Sequence, residues 1–133
     1  MLILAALTVL GGIGVWATGL AGAGADSVAQ ASAIARAQEA AAGGLEWARW
    51  RLRVPAAAVC AGVQNVVLPG TLGGYTVTTR CTLVGSYSEA GVTVRRWRVS
   101  ADACNQPLAG SCPSAAPAAG YAQATRTALV ERP

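Results

Sequence analysis

Four cysteines, Cys60, Cys81, Cys104 and Cys112, are the side chains of this chain best suited to forming a defined chemical link. Cysteine can ligate a metal, attack an electrophile or form a disulfide. No pair has CxxC spacing and the chain contains no His, which removes the common zinc ligand sets and any Cys-His couple. Two disulfides are the better reading for a domain exposed to an oxidising space. Of the connectivities open to four cysteines, the preferred one joins Cys60 to Cys81 and Cys104 to Cys112. The first would tie the segment after the helix to the sheet. The second closes the loop CNQPLAGSC, whose Pro and Gly suit a tight turn. By chain entropy each bridge contributes roughly 2 to 4 kcal/mol.

The remaining polar inventory closes the usual routes to catalysis. All 10 basic residues are Arg, and the 6 carboxylates are scattered, with no pair placed by motif for acid and base work. Without Lys there is no P-loop lysine, Schiff base or Ser-Lys dyad, and without His no Ser-His couple. No catalytic, cofactor-binding or metal site is expected. The basic cluster is Arg95, Arg96 and Arg98, with Arg80 on the preceding strand. Single-stranded nucleic acid would need stacking aromatics interleaved with these, and Trp97 alone supplies one. A solvated sheet face or an acidic neighbour fits the cluster better.

The elements that carry these residues divide the chain by composition. The 133 residues are 53% hydrophobic and 12% charged, about half the usual charged fraction of a soluble domain. Residues 1–25 carry no charge at all. As a helix they would span about 37 Å at ~1.5 Å per residue, against ~30 Å for the hydrocarbon core of a bilayer. A membrane-inserted helix is therefore the expectation, with Gly14, Thr18 and Gly22 on one face suited to close helix contact. The alternative is a secretory signal cleaved after Ala25, where Ala23-Gly24-Ala25 has the small-x-small form. No basic residue precedes the apolar run, and the nearest, Arg36, lies after it. That pattern points to a precursor with a short basic leader upstream of this sequence.

Residues 26–53 extend the helix with strong helix formers, and Pro55 ends it. Ile34, Ala37, Ala41, Leu45, Ala48 and Leu52 form one apolar stripe, with Trp47, Trp50, Arg36 and Gly43 on the opposite side. Either the small-residue stripe packs on the protein's own sheet and leaves the tryptophans to a neighbouring subunit, or the tryptophans do the self-packing. Glu46 can pair with Arg49, with Arg53 nearby, and Gly43-Gly44 is a candidate kink. Residues 54–133 read as strands: 63–68, 75–84, 92–101 and a weaker one at 121–131, with GSYSEAG turning the chain between the second and third. In 75–84, Tyr75, Val77, Thr79, Cys81 and Leu83 alternate against Thr76, Thr78, Arg80 and Thr82. In 92–101, Val92 and Val94 are out of phase with Trp97 and Val99, which predicts a β-bulge at Arg95-Arg96. The fold class is α+β: a long N-terminal helix packed by its amphipathic half on an antiparallel sheet of three or four strands.

An apolar helix that becomes amphipathic, followed by a small antiparallel sheet and a disulfide loop near the C-terminus, resembles a type IV pilin. The segments AAAGGLEWARWRL, LPGTLGGYTVTTRC, SYSEAGVTV and ACNQPLAGSCPSAAPAAGY resemble the MshP group of minor pilin-like proteins of mannose-sensitive haemagglutinin (MSHA) pilus systems, over nearly the whole chain. The resemblance implies a non-enzymatic minor pilin held in the inner membrane with a periplasmic C-terminal domain. It further implies processing by a prepilin peptidase and assembly with other pilin subunits into a pilus at the cell surface. Departures fall at the start: there is no Gly-Phe type cleavage site, and no acidic residue in positions 1–25, where a major pilin places a glutamate. A minor component fits this better than the main polymerising subunit. The rival readings are a minor pseudopilin of a type II secretion system and a secreted disulfide-bonded binding module beginning at Asp26.

Overall fold

The computed structural model describes the backbone of residues 2–54 and 62–133 and, within these, the side chains from Gly24 onward. Helix α1 spans Leu2–Arg53 and is followed by strands β1 (Gln64–Val67), β2 (Thr76–Glu89), β3 (Val92–Cys104) and β4 (Gln123–Arg132). A single 3-10 turn, Gly70–Leu72, lies between β1 and β2. The chain divides into two compact units, residues 1–32 and 33–133.

The first unit is the N-terminal part of α1. Serines are weak helix formers because their hydroxyls compete for backbone groups. Here Ser27 and Ser32 each donate to the carbonyl three residues back, Gly24 and Ala29, at 2.8 Å, so their hydroxyls are satisfied without leaving the helix. Among the described residues no helix is long and apolar enough to cross a membrane. The membrane stretch expected at 1–25 lies, for residues 1–23, outside the described side chains, as do Gly14, Thr18 and Gly22.

In the second unit the remainder of α1 covers a four-stranded antiparallel meander in the order β1-β2-β3-β4. The contact is built from small residues. Ala37, Ala40, Ala41, Leu45, Ala48 and Leu52 of the helix are buried against Val77, Val99, Ala101 and Ala103 of the sheet. Register accounts for the sheet face: Val77 pairs with Ala103, Val99 with Ala128, and Ala103 with Ala124, so odd positions of β3 line one side across three strands. Tyr75, just before β2, donates its hydroxyl to the Ala33 carbonyl at 2.9 Å and ties that end of the sheet to the helix. Arg51 and Arg53 occupy the last helical turn, where positive charge complements the dipole.

Two expectations are corrected here. The bulge lies on β2: Leu83 pairs with Trp97 and Gly85 with Arg96, leaving Val84 unpaired, while β3 keeps unbroken register with β4. GSYSEAG is mostly strand, and the turn is Ala90-Gly91 alone, with φ of 50° and 82° as a two-residue hairpin turn demands. Gly43-Gly44, the candidate kink, lies inside α1, and Gly44 is buried where a Cβ would stand 2.3 Å from Val77 Cγ1. Its role is close approach of helix to sheet.

Candidate functional site

Assembly surfaces are read from what a fold covers and what it leaves open. On α1 the small-residue stripe is taken up by the protein's own sheet. Ile34, placed on that stripe by spacing, is exposed at 39% because it precedes the buried run that begins at Ala37. The two tryptophans part company. Trp47 sits at the edge of the stripe, half-buried and packed on the core, with the Arg51 guanidinium 5.4 Å over its ring. Trp50 is 59% exposed. Gly43 lies near Leu68, whose Cδ1 would be 3.6 Å from an added Cβ. Glu46 pairs with Arg49 at 2.7 Å across one turn, a solvent-exposed contact worth a few tenths of a kcal/mol. The open face of the helix is thus centred on Arg36 and Trp50.

The sheet's other face carries the disulfide loop. Cys104 and Cys112 are bonded as expected and both are fully buried. Cys81 is also a disulfide cysteine, and Cys60 lies outside the described residues. Within the loop, Leu108 and Ser111 exchange two backbone hydrogen bonds at 3.1 and 3.0 Å across Ala109-Gly110, both with positive φ.

Thr78 anchors the loop to the sheet. Its hydroxyl accepts from the Cys112 N–H and donates to Asn65 Oδ1, each at 2.7 Å, and Asn65 Nδ2 in turn donates to Ser111 Oγ. Held in this way, Thr78 is 0% exposed. Arg80 completes the clamp, pairing with Asp102 and donating to the Cys112 carbonyl at 3.0 Å, while Asp102 also accepts from Thr125.

Side-chain amides hold the Ala- and Pro-rich segment that follows. Asn105 donates to the Gly120 carbonyl and accepts from the Ala122 N–H. Gln106 does the same with Ala119 and Ala118. Each amide presents one donor and one acceptor to the backbone as a neighbouring strand would. The motif ACNQ was legible; its function as a clasp was not, because its partners lie 12 to 17 residues away.

Comparison with protein-family models, with curated proteins and with solved structures returns no match to this chain.

The basic cluster is not one patch. Arg80, Arg96 and Arg98 share the face away from the helix, and Arg95 takes the opposite one by alternation. Arg96 pairs with Glu131 at 2.7 Å and lies 5.6 Å from the Tyr87 ring centroid. Tyr87 reaches this face because the Val84 bulge reverses the phase of the strand beyond it. The Tyr87 phenol is held above its ordinary pKa by local desolvation and then by the Glu131 carboxylate, to which it donates at 3.2 Å. The Arg96 guanidinium is raised first by its hydrogen bond to Glu131 and then by that carboxylate's charge.

Among the described residues no group of three or more His, Cys, Asp or Glu could hold a metal ion. The cavity beside Trp47, Arg51 and Cys81 measures about 30 Å³, room for little more than one water. Asp102 and Glu131 are both engaged by arginine. Among the described residues the geometry offers surfaces and braces.

Proposed function

We propose that this chain is a non-enzymatic minor pilin of an MSHA-type type IV pilus, joining the fibre or its initiation complex through its N-terminal helix. The observation that carries the reading is a 52-residue helix whose second part covers a four-stranded antiparallel sheet. A helix of this length is far beyond the globular mean of about 11 to 12 residues and needs partners along its length. Among the described residues its own sheet accounts for the run from Ala33 to Leu52.

In this reading the apolar segment 1–25 is covered by lipid in the inner membrane and, after assembly, by helices of other pilin subunits. Trp50 and the open side of the helix then face those neighbours. The disulfide-closed domain lies in the periplasm and later at the fibre surface, where covalent closure of its loop preserves it in an oxidising space.

The test is fractionation of cells carrying an epitope-tagged chain, followed by mass spectrometry of its mature N-terminus. The expected result is recovery in the inner membrane and in sheared pili, with loss of the protein from pili when residues 1–25 are deleted. A mature form that begins at Asp26 and appears only in the medium would overturn the proposal.

A further inference from the structure

One edge of the sheet is long, regular and open. β4 ends the order β1-β2-β3-β4, and among the described residues it pairs with β3 alone, in register from Gln123 to Arg132 without a break. In an antiparallel strand every second residue aims its N–H and C=O away from the partner, so one side of β4 is a row of unused backbone donors and acceptors. Proteins blunt such rows with short strands, bulges, proline or charge. The opposite edge of the sheet uses the first two: β1 has 4 residues, and beyond it β2 carries the Val84 bulge. β4 has 10 residues, no bulge and neither Pro nor Gly. What it carries is arginine.

Charge decides what this edge accepts. Arg126 and Arg132 share the face of β4 that bears Ala124, Ala128 and Val130, and Arg95 stands directly across from Arg132. The acids of β3 and β4, Asp102 and Glu131, lie on the other face, paired with Arg80 and Arg96. Arg126 is exposed and, among the described residues, joins no ion pair. A second copy of β4 is a poor match for such an edge. Two copies paired antiparallel keep their helix-side faces together. Any register that joins half of the strand or more then sets Arg126 opposite or diagonal to Arg126 or Arg132 of the copy, and like charges at those positions are destabilising. The same arginines favour a strand that brings carboxylates in their phase.

We propose that β4 is a docking edge for an extended acidic segment of another protein, which adds to the sheet as a fifth strand. Main-chain hydrogen bonds along β4 supply the affinity, and carboxylates set against Arg126 and Arg132 supply selectivity and register. No residue of α1 takes part, so this surface is separate from the helix through which the chain would join a fibre.

The experiment uses the purified full chain in detergent micelles and a fluorescent, end-blocked peptide that alternates threonine with valine and carries two glutamates six residues apart, the spacing of Arg126 and Arg132. Fluorescence anisotropy reads the affinity, and amide hydrogen exchange reads where the peptide lies. The expected result is saturable binding with exchange slowed at alternate residues of β4, those whose N–H groups turn away from β3. Arg126→Glu should weaken binding by about tenfold or more, the loss of at least one charge-assisted contact. The same variant should bind a peptide with lysines in place of the glutamates more tightly than the parent chain does. Arg36→Glu, the same change of charge on the helix, should leave the affinity unchanged. Absence of saturable binding, an affinity that survives Arg126→Glu, or binding without slowed exchange in β4, which would mark loose charge attraction, would overturn the proposal. So would self-association that slows exchange in β4 without any peptide, since the occupant would then be a second copy. None of these readouts depends on membership of a pilus.

Discussion

Gly44 offers the sharpest test of how the helix is seated. Ala is the better helix former by about 1 kcal/mol, so by propensity alone Gly44→Ala should stabilise the chain. The packing says otherwise. An added Cβ would stand 2.3 Å from Val77 Cγ1 and 3.2 Å from Val77 Cβ. Carbon contacts settle at about 3.5 to 4.0 Å, so the overlap exceeds ~1 Å. Val77 has no room to yield: it is β-branched, 0% exposed and held by strands on both sides. The helix would have to lift from the sheet, loosening the contacts of Ala40, Ala41 and Ala48. Overpacking of this kind costs about 1 to 3 kcal/mol. At the upper end of that range, set against the propensity gain, Gly44→Ala should lose about 2 kcal/mol, or roughly 10 °C in melting temperature for a unit of this size. Gly43→Ala is the matched control, since its Cβ would meet only Leu68 Cδ1 at an ordinary 3.6 Å. That variant should hold its melting temperature or gain a few degrees. Thermal unfolding by circular dichroism of both variants, and of Gly44→Ala with Val77→Ala, supplies the comparison. The double variant should be less destabilised than the sum of the singles, with a coupling of at least about 1 kcal/mol. A Gly44→Ala protein as stable as the parent, or strict additivity with Val77→Ala, would refute the close-approach argument.

Thr78→Val should leave the Cys112 N–H and Asn65 Oδ1 without their shared partner and cost about 1 to 3 kcal/mol in denaturant unfolding, whereas Thr78→Ser, which keeps both hydrogen bonds, should cost distinctly less. The raised pKa of Tyr87 means that the folded state holds the phenolic proton more tightly than the unfolded chain. Its contribution to stability is therefore complete below the ordinary tyrosine pKa of about 10 and is lost as pH rises through the raised value. Ultraviolet titration of tyrosinate should show one late-ionising tyrosine, and Glu131→Gln should bring it back toward the ordinary range.

Much of the architecture was legible because it follows from local rules. Residues 26–53 are strong helix formers ended by Pro55, and the spacing from Ala37 to Leu52 marks the face that the sheet covers. The four strand locations follow from β-branched runs and their breaks, and the Cys104-Cys112 closure from a short loop with Pro and Gly. The tryptophan face was only half legible. Spacing set Trp47 and Trp50 together, and the half-burial of one beside the exposure of the other depends on where the sheet's edge falls.

What only the tertiary structure decided has a common cause: each case depends on which residues face one another across a long stretch of chain. The phase break in β3 showed that an irregularity exists near Trp97 but not which strand of the hairpin carries it. Register assigns it to Val84, and that one inserted residue sends Tyr87 to Arg96 and Glu131. Alternation along one strand sets Thr78 on a face with Arg80, while its burial comes from a loop 34 residues further on. Arg95 and Arg96 read as one cluster because they are adjacent; the pleat sends them to opposite faces, one to Glu131 and the other to Arg132. Periodicity along the chain determines which elements form and what each hides. Pairing between elements, settled by packing and hydrogen-bond register, determines which side chains meet.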